Sequence, residues 1–204
     1  MRKIISPNIK KNIEKCDILS EYNDNKLYKN ISFSSNFDYI EVSSCKFINC
    51  KFNDIKFNRI DFVDCIFEKS DLSNLNLTDS SIHKTEFNNC NLVGSNFADS
   101  YFEDVVINEC NGSYSNFSGT NISFMSINDS ILMESSFNEI KFKELVFNNC
   151  DLKSAEFINT NMKSIDLSNS NISGIKVNIN RLNGLVVNME QSIQLSSLLG
   201  IVIK

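Results

Sequence analysis

A large apolar residue returns at every fifth position from Phe37 to Val187, and neither a helix nor a straight strand can bury such a series. The stretch CKFINCKFNDIKFNRIDF, residues 45–62, shows it with Phe47, Phe52, Phe57 and Phe62. A helix turns about 100° per residue, so each Phe would land about 140° from the last and no stripe would form. A strand alternates with period two, and five is odd, so successive Phe would face opposite sides. The phase never slips across the span, and Gly112 is the one centre that is not a large apolar residue.

Two positions before each centre stands a second series, mostly small: Cys45, Cys50, Cys65, Ser70, Ser80, Thr85, Cys90, Ser95, Ser100, Cys110 and Cys150 are typical. A spacing of two puts both residues on one side of a short extended segment. The next small residue follows the centre by three, an odd step, so the chain must turn a corner to bring it inward. A corner every five residues makes a coil with flat sides. Stacked at about 4.8 Å, such coils pair each edge with the one beneath and leave open edges only at the two ends. Four sides give about twenty residues per coil; the spacing alone does not separate four sides from three.

The unit reads small, polar, Leu or Phe, then two further residues. CDLKSAEFINTNMKSIDLSNSNISGI (150–175) and CNLVGSNF (90–97) show it well. This resembles the pentapeptide-repeat proteins over roughly residues 35–187. The resemblance implies an all-β solenoid: a right-handed, four-sided β-helix of about 7–8 coils, with short helical caps at both ends. Asn follows many centres directly (Asn88, Asn108, Asn128, Asn138, Asn148). It is expected there as a residue that tolerates left-handed angles and forms side-chain ladders between coils.

The chain divides into an N-terminal cap (1–34), the β-helix (35–187) and a C-terminal helix and strand (188–204). Residues 1–34 lack the five-residue phase. Ser6 and Pro7 are placed as N-cap and first residue of a short helix, with Ile9, Ile13 and Cys16 on one face. At the other end, Asn188 and Gln191 form the pattern of a capping box, predicting a helix over 189–199 ended by Gly200. Ile201, Val202 and Ile203 are strand-like. The ending LNGLVVNMEQSIQLSSLLGIVIK (182–204) is similar to the tails of Qnr-type and MfpA-type members, in which the equivalent helix joins two towers. That similarity makes Ile193, Leu195, Leu198, Leu199, Ile201 and Ile203 the candidate homodimer contacts; the alternative is that they cap one tower.

Little in the sequence points to catalysis. Six of the seven Cys occupy the small inward slot, there is no CxxC, and one His is available. Packing explains this pattern better than metal or redox chemistry. Cys90 and Cys110, twenty apart, are expected to stack within disulfide reach. His83 should point outward, with no acid–base constellation identified around it. No nucleophile motif or phosphate-binding Gly loop is present. The expectation is a protein that is not an enzyme and has no cofactor and no metal. Gly112 reads as a local compensation by neighbours such as Tyr114 or Met125, or else as a pocket or bend. No apolar run approaches a membrane span and no signal peptide is visible, so a cytoplasmic location and no membrane partner are expected.

Charge is more informative. Net charge is −5, which argues against direct nucleic-acid binding by charge. Residues 35–187 hold 20 acidic and 12 basic side chains, a net −8. Glu41, Asp61, Asp64, Glu103 and Asp104 form the candidate acidic partner-binding face, which turns basic lower down at Lys141, Lys143, Lys163 and Arg181. About eight coils span roughly 38 Å. Duplex DNA of that length carries about 22 charges, one per ~1.7 Å. The rod can imitate DNA in shape and in one patch, but not in overall charge. The family resemblance implies a partner, DNA gyrase or topoisomerase IV, and with it possible quinolone protection; the alternative is a scaffold with another protein partner. The loops that interrupt Qnr-type towers are absent, since the phase is unbroken, and this places the chain nearer the loopless MfpA-like type.

Overall fold

A computed structural model describes residues 5–9, 14–15, 20–34, 36–52 and 55–202. The chain winds into a right-handed parallel β-solenoid of about seven coils with one short helix near the C-terminus. Each coil lies in register with the residue twenty positions on: Asp61 opposes Ser81, Phe67 opposes Phe87, and Phe102 opposes Ile122. Every pairing among the described residues is parallel. The four faces carry the centres Val42–Phe62–Ile82–Phe102 (first), Phe47–Phe67–Phe87–Ile107 (second), Phe52–Leu72–Leu92–Gly112 (third) and Leu77–Phe97–Phe117–Phe137 (fourth), each continuing downward.

The corners explain the period. The left-handed residue is the second after the centre, not the first. Asn49, Asn74, Asn89, Asn149 and Asn159 have φ between 52° and 59°, and Asp64, Asp79, Asp99 and Asp129 lie between 49° and 58°. On the third and fourth faces a hydrogen bond closes the turn, as from Leu75 N–H to Leu72 O at 3.2 Å, the geometry of a type II turn with its positive φ at the third residue. Asn88, Asn108 and Asn128, expected as turn formers, instead point outward and bond to one another. Asn108 Nδ2 donates to Asn88 Oδ1 at 2.9 Å, and Asn128 Nδ2 to Asn108 Oδ1 at 2.8 Å. The expected ladder forms one position before the turn.

The small slot does more than save space. The Ser70 hydroxyl accepts from Cys50 N–H at 3.1 Å, and Ser100 Oγ accepts from Ser80 N–H at 3.1 Å while donating to Leu77 O at 2.7 Å. These backbone groups are buried at corners, where they would otherwise lack partners. A cysteine can substitute: Cys90 N–H donates to Cys110 Sγ at 3.3 Å. The six described cysteines are all free and buried, so no disulfide joins Cys90 to Cys110; Cys16 lies outside the described residues. The hydrogen bond shared with Cys110, together with burial, pushes the Cys90 thiol up, and burial pushes Cys45 up to about 11. Neither is poised as a nucleophile.

Inside, phenyl rings stack coil on coil. Tyr28, Phe47, Phe67 and Phe87 form one column at 4.7–4.9 Å on the second face, with rings within 10° of parallel. A second column, Phe97–Phe117–Phe137–Phe157, takes over on the fourth face at 4.8–5.0 Å. Gly112 opens no pocket, because a Cβ there would meet Leu132 Cδ2 at 3.0 Å: the leucine below already fills the space. Tyr114 does not compensate, being 59 % exposed.

The parallel pairing reaches above residue 35. Tyr22–Asp24 and Lys26–Lys29 pair with the tower, but at an offset of nineteen: Tyr22 opposes Glu41 and Leu27 opposes Lys46. The step from Phe33 to Phe37 is four, so Tyr28 and Phe33 are buried centres one position out of phase. Asn23 takes the centre before them and accepts from the Tyr28 hydroxyl at 2.7 Å. The helix expected to start at Ser6 is not formed over residues 5–9, and Ile13 lies outside the described residues. Asn8 instead touches the tower, its N–H donating to Asp64 Oδ1 at 3.1 Å.

Phe117 stands in the middle of a ring column with no exposed surface. Phe117→Ala is expected to cost about 3–5 kcal/mol, against clearly less for Phe142→Ala at a half-exposed centre. Urea unfolding followed by circular dichroism measures the difference.

Candidate functional site

Two regions of the surface stand out: the charged sides of the upper tower and the lower end. The five candidate acids all sit on the first face or the corner that follows it, but they do not make a uniform exposed stripe. Glu41 is exposed. Asp61 is engaged on several sides: Arg59 reaches it at 3.1 Å, the Tyr39 hydroxyl donates at 3.1 Å and Ser81 N–H at 3.0 Å. Burial and the bond to Asp61 push the Tyr39 phenol up. Asp64 receives Asn8. Asp104 is 1 % exposed and offers little to a partner.

Glu103 has neighbours that the linear sequence hides. His83 opposes it in register, with Nε2 3.8 Å from Glu103 Oε2, and the Tyr101 hydroxyl donates to Glu103 at 3.2 Å. Burial, then Glu103, pushes the Tyr101 phenol up. One donor atom each of His83, Glu103 and Asp104 lies within 4.8 Å of the others, a nitrogen-and-carboxylate set of the type that holds divalent cations. His83 is therefore not without acidic neighbours. The period of twenty that places 83 beside 103 was the available signal.

That period also reveals acids the linear reading passed over. Asp79, Asp99 and Glu139 stand exposed on the corner before the first face, separated by multiples of twenty, all left-handed. Glu109 and Asp129 are exposed one above the other on the diagonally opposite corner. The exposed negative charge thus runs along two opposite vertical edges, more than across one face.

The lower end is closed as the sequence predicts. The helix is Met189–Ser196, followed by a 3-10 turn over Ser197–Leu199 and a left-handed Gly200. Its capping box is complete: Gln191 N–H donates to Asn188 Oδ1 at 2.9 Å, and Asn188 N–H to Gln191 Oε1 at 2.8 Å. The Gln191 amide also donates to Leu167 O at 2.8 Å and Ser170 O at 2.7 Å, so this buried side chain ties the cap to the last full coil. Of the six dimer candidates, Leu195 packs against the core. Ile193, Leu198, Leu199 and Ile201 are 41–57 % exposed, and Ile203 lies outside the described residues. Residues 201–202 form no strand, but Val202 adds a further exposed apolar side chain.

Sequence models of this type of repeat match the chain in two places: a pentapeptide repeat region over residues 40–117 and eight copies of pentapeptide repeats over residues 135–174. No curated protein matches. Among solved structures, a trypsin-treated variant of QnrB1, described as a plasmid-mediated fluoroquinolone resistance protein, superposes with a TM-score of 0.53 at 24 % identity, covering 93 % of this chain and 94 % of that one. Full-length QnrB1 gives 0.50 at 24 % identity over 92 % and 95 %. HetL, a pentapeptide-repeat protein of heterocyst differentiation from a cyanobacterium, gives 0.33 at 11 % identity over 81 % and 89 %.

Gln191→Ala would leave Leu167 O, Ser170 O and Asn188 N–H without their present partner. The expected cost is about 1–3 kcal/mol. Hydrogen exchange should show faster opening across 188–199 while the upper coils are unchanged.

Proposed function

Because the chain belongs to the pentapeptide-repeat family, we propose that it is a non-enzymatic binding protein. Its tower would occupy the DNA-binding saddle of a type II topoisomerase, DNA gyrase or topoisomerase IV, as a mimic of duplex shape. The supporting observation is the rod itself, a tower of the QnrB1 fold closed at one end by an exposed apolar patch. About seven coils at ~4.8 Å give roughly 34 Å. Two copies joined through Ile193, Leu198, Leu199 and Ile201 by a two-fold axis would give a rod of about 70 Å, the length of about 20 base pairs at ~3.4 Å each. The exposed acids on its opposite edges would face cationic groups that otherwise contact phosphates.

One observation favours a second reading. The register of twenty runs without insertion from Asp61 to Val186, so no loop projects from this stretch to reach a drug-bound cleavage site. This supports a protein that competes with DNA but does not rescue the enzyme, or a scaffold for another partner.

A gyrase supercoiling assay with and without a quinolone tests the reading. Inhibition of supercoiling at micromolar protein, without relief of drug-induced cleavage, is the expected result. No effect in either arm would sink it. Leu199→Asp should convert a dimer to a monomer by light scattering and weaken inhibition by about tenfold or more, because half the rod is lost.

A further inference from the structure

His83 is the one histidine in the sequence, and the register of twenty sets it over an acid. Ser81–His83 and Tyr101–Glu103 are neighbouring strands of the first face, paired in parallel with His83 opposite Glu103. Each follows a buried centre, Ile82 or Phe102, so alternation turns both side chains outward on the same side of the sheet. The backbone at both positions is held by the corner bonds: Asp64 N–H donates to His83 O at 3.0 Å and Lys84 N–H to Glu103 O at 2.8 Å. Asp104 comes next, at a left-handed corner with φ 55°. One coil thus supplies a nitrogen donor and the next supplies two carboxylates.

The distances suit a shared cation. His83 Nε2 is 3.8 Å from Glu103 Oε2, and one donor atom of each of the three residues lies within 4.8 Å of the other two. A tetrahedral zinc holds nitrogen and oxygen at about 2.0–2.2 Å, which puts its ligands about 3.3 Å apart. Side-chain shifts of about 1 Å or less close the set around such an ion. The Tyr101 hydroxyl donates to the same Glu103 Oε2 at 3.2 Å, the kind of outer hydrogen bond that orients a ligating carboxylate. The His83 and Glu103 side chains are about one-third exposed, whereas Asp104 is buried. The trio is therefore open on its solvent side, where a fourth position would take water. A neutral imidazole and two carboxylates carry the two negative charges that balance a divalent cation. The imidazole favours zinc and its neighbours over calcium and magnesium, which take oxygen ligands.

We propose that His83, Glu103 and Asp104 bind a zinc-class divalent cation that ties two coils of the tower together. The trio differs from the acids on the tower's edges. Asp79, Asp99 and Glu139 offer carboxylates alone, all of them exposed. Here the chain's imidazole joins the set, one carboxylate is buried at a fixed corner, and the other is held by a phenol. Because the donors come from adjacent coils, the ion adds a side-chain link to the backbone ladder, and binding should stabilise the tower. This inference does not depend on the topoisomerase reading, since it is measured on the isolated chain.

The test titrates zinc chloride into the full chain, without a histidine tag, by calorimetry and by proton NMR. One ion per chain should bind with a Kd of about micromolar or tighter, and the imidazole signals of the single histidine should shift with the same saturation. The thermal midpoint should rise with zinc. His83→Gln and Glu103→Gln should each weaken binding by more than about tenfold and abolish the thermal shift, and Tyr101→Phe should weaken it by about tenfold. Circular dichroism checks that these outward-facing substitutions leave the coils intact, and the NMR titration of the unaltered chain stands whatever their folding. Cys16→Ser should bind as the unaltered chain does, which separates the site from capture by a thiol. Absence of binding, binding that leaves the imidazole signals in place or survives His83→Gln, loss of binding in Cys16→Ser, or equally tight uptake of calcium would each overturn the proposal.

Discussion

The backbone hydrogen bond between one coil and the next governs this molecule. It forms only if neighbouring coils have equal length, so it enforces the twenty-residue register from Asp61 downward. The cost of violating it is visible near the top. One residue fewer between Phe33 and Phe37 shifts the pairing of Tyr22–Asp24 and Lys26–Lys29 with the tower to nineteen. Tyr28 still stacks on Phe47 at 4.8 Å, because the hydrogen bonds and the ring column share the same spacing.

Corners are the second constraint. A left-handed residue every five positions is demanding for L-amino acids other than Gly, and Asn and Asp meet it most cheaply. That requirement places many of the carboxylates. Asp64, Asp79, Asp99, Asp104 and Asp129 all occupy left-handed corners. The acidic edges are thus partly a product of turn chemistry, and negative charge along the tower is weaker evidence for DNA mimicry than it looks in a linear count. Where the corner is not turned, as at residues 39, 59, 124 and 144, eight-residue strands run straight, and the ladder below the last of them is lost.

Buried hydroxyls and thiols connect the corners to the core. Ser, Thr and Cys two positions before the centre were legible as small inward residues. Their role as acceptors for the N–H of the coil above was not, since nothing in a linear chain says that residue 70 will meet residue 50. The same blindness hid Glu103 and Asp104 from His83, and Asp79 from Asp99, although a period of twenty, once adopted, brings them together.

The sequence by itself determined the five-residue unit and its unbroken phase, the inward pairs and the capping box of Asn188 and Gln191. These follow from local rules: side-chain alternation, turn propensity and the need to bury a periodic apolar series. Tertiary structure alone decided that Tyr28 and Phe33 belong to the tower, that Leu132 fills the space beside Gly112, that Asp104 is hidden while Asp79 is exposed, and that the ladder fails beneath Lys141–Asn148. Each depends on how one coil lies on another, an interaction across about twenty residues that no local pattern encodes.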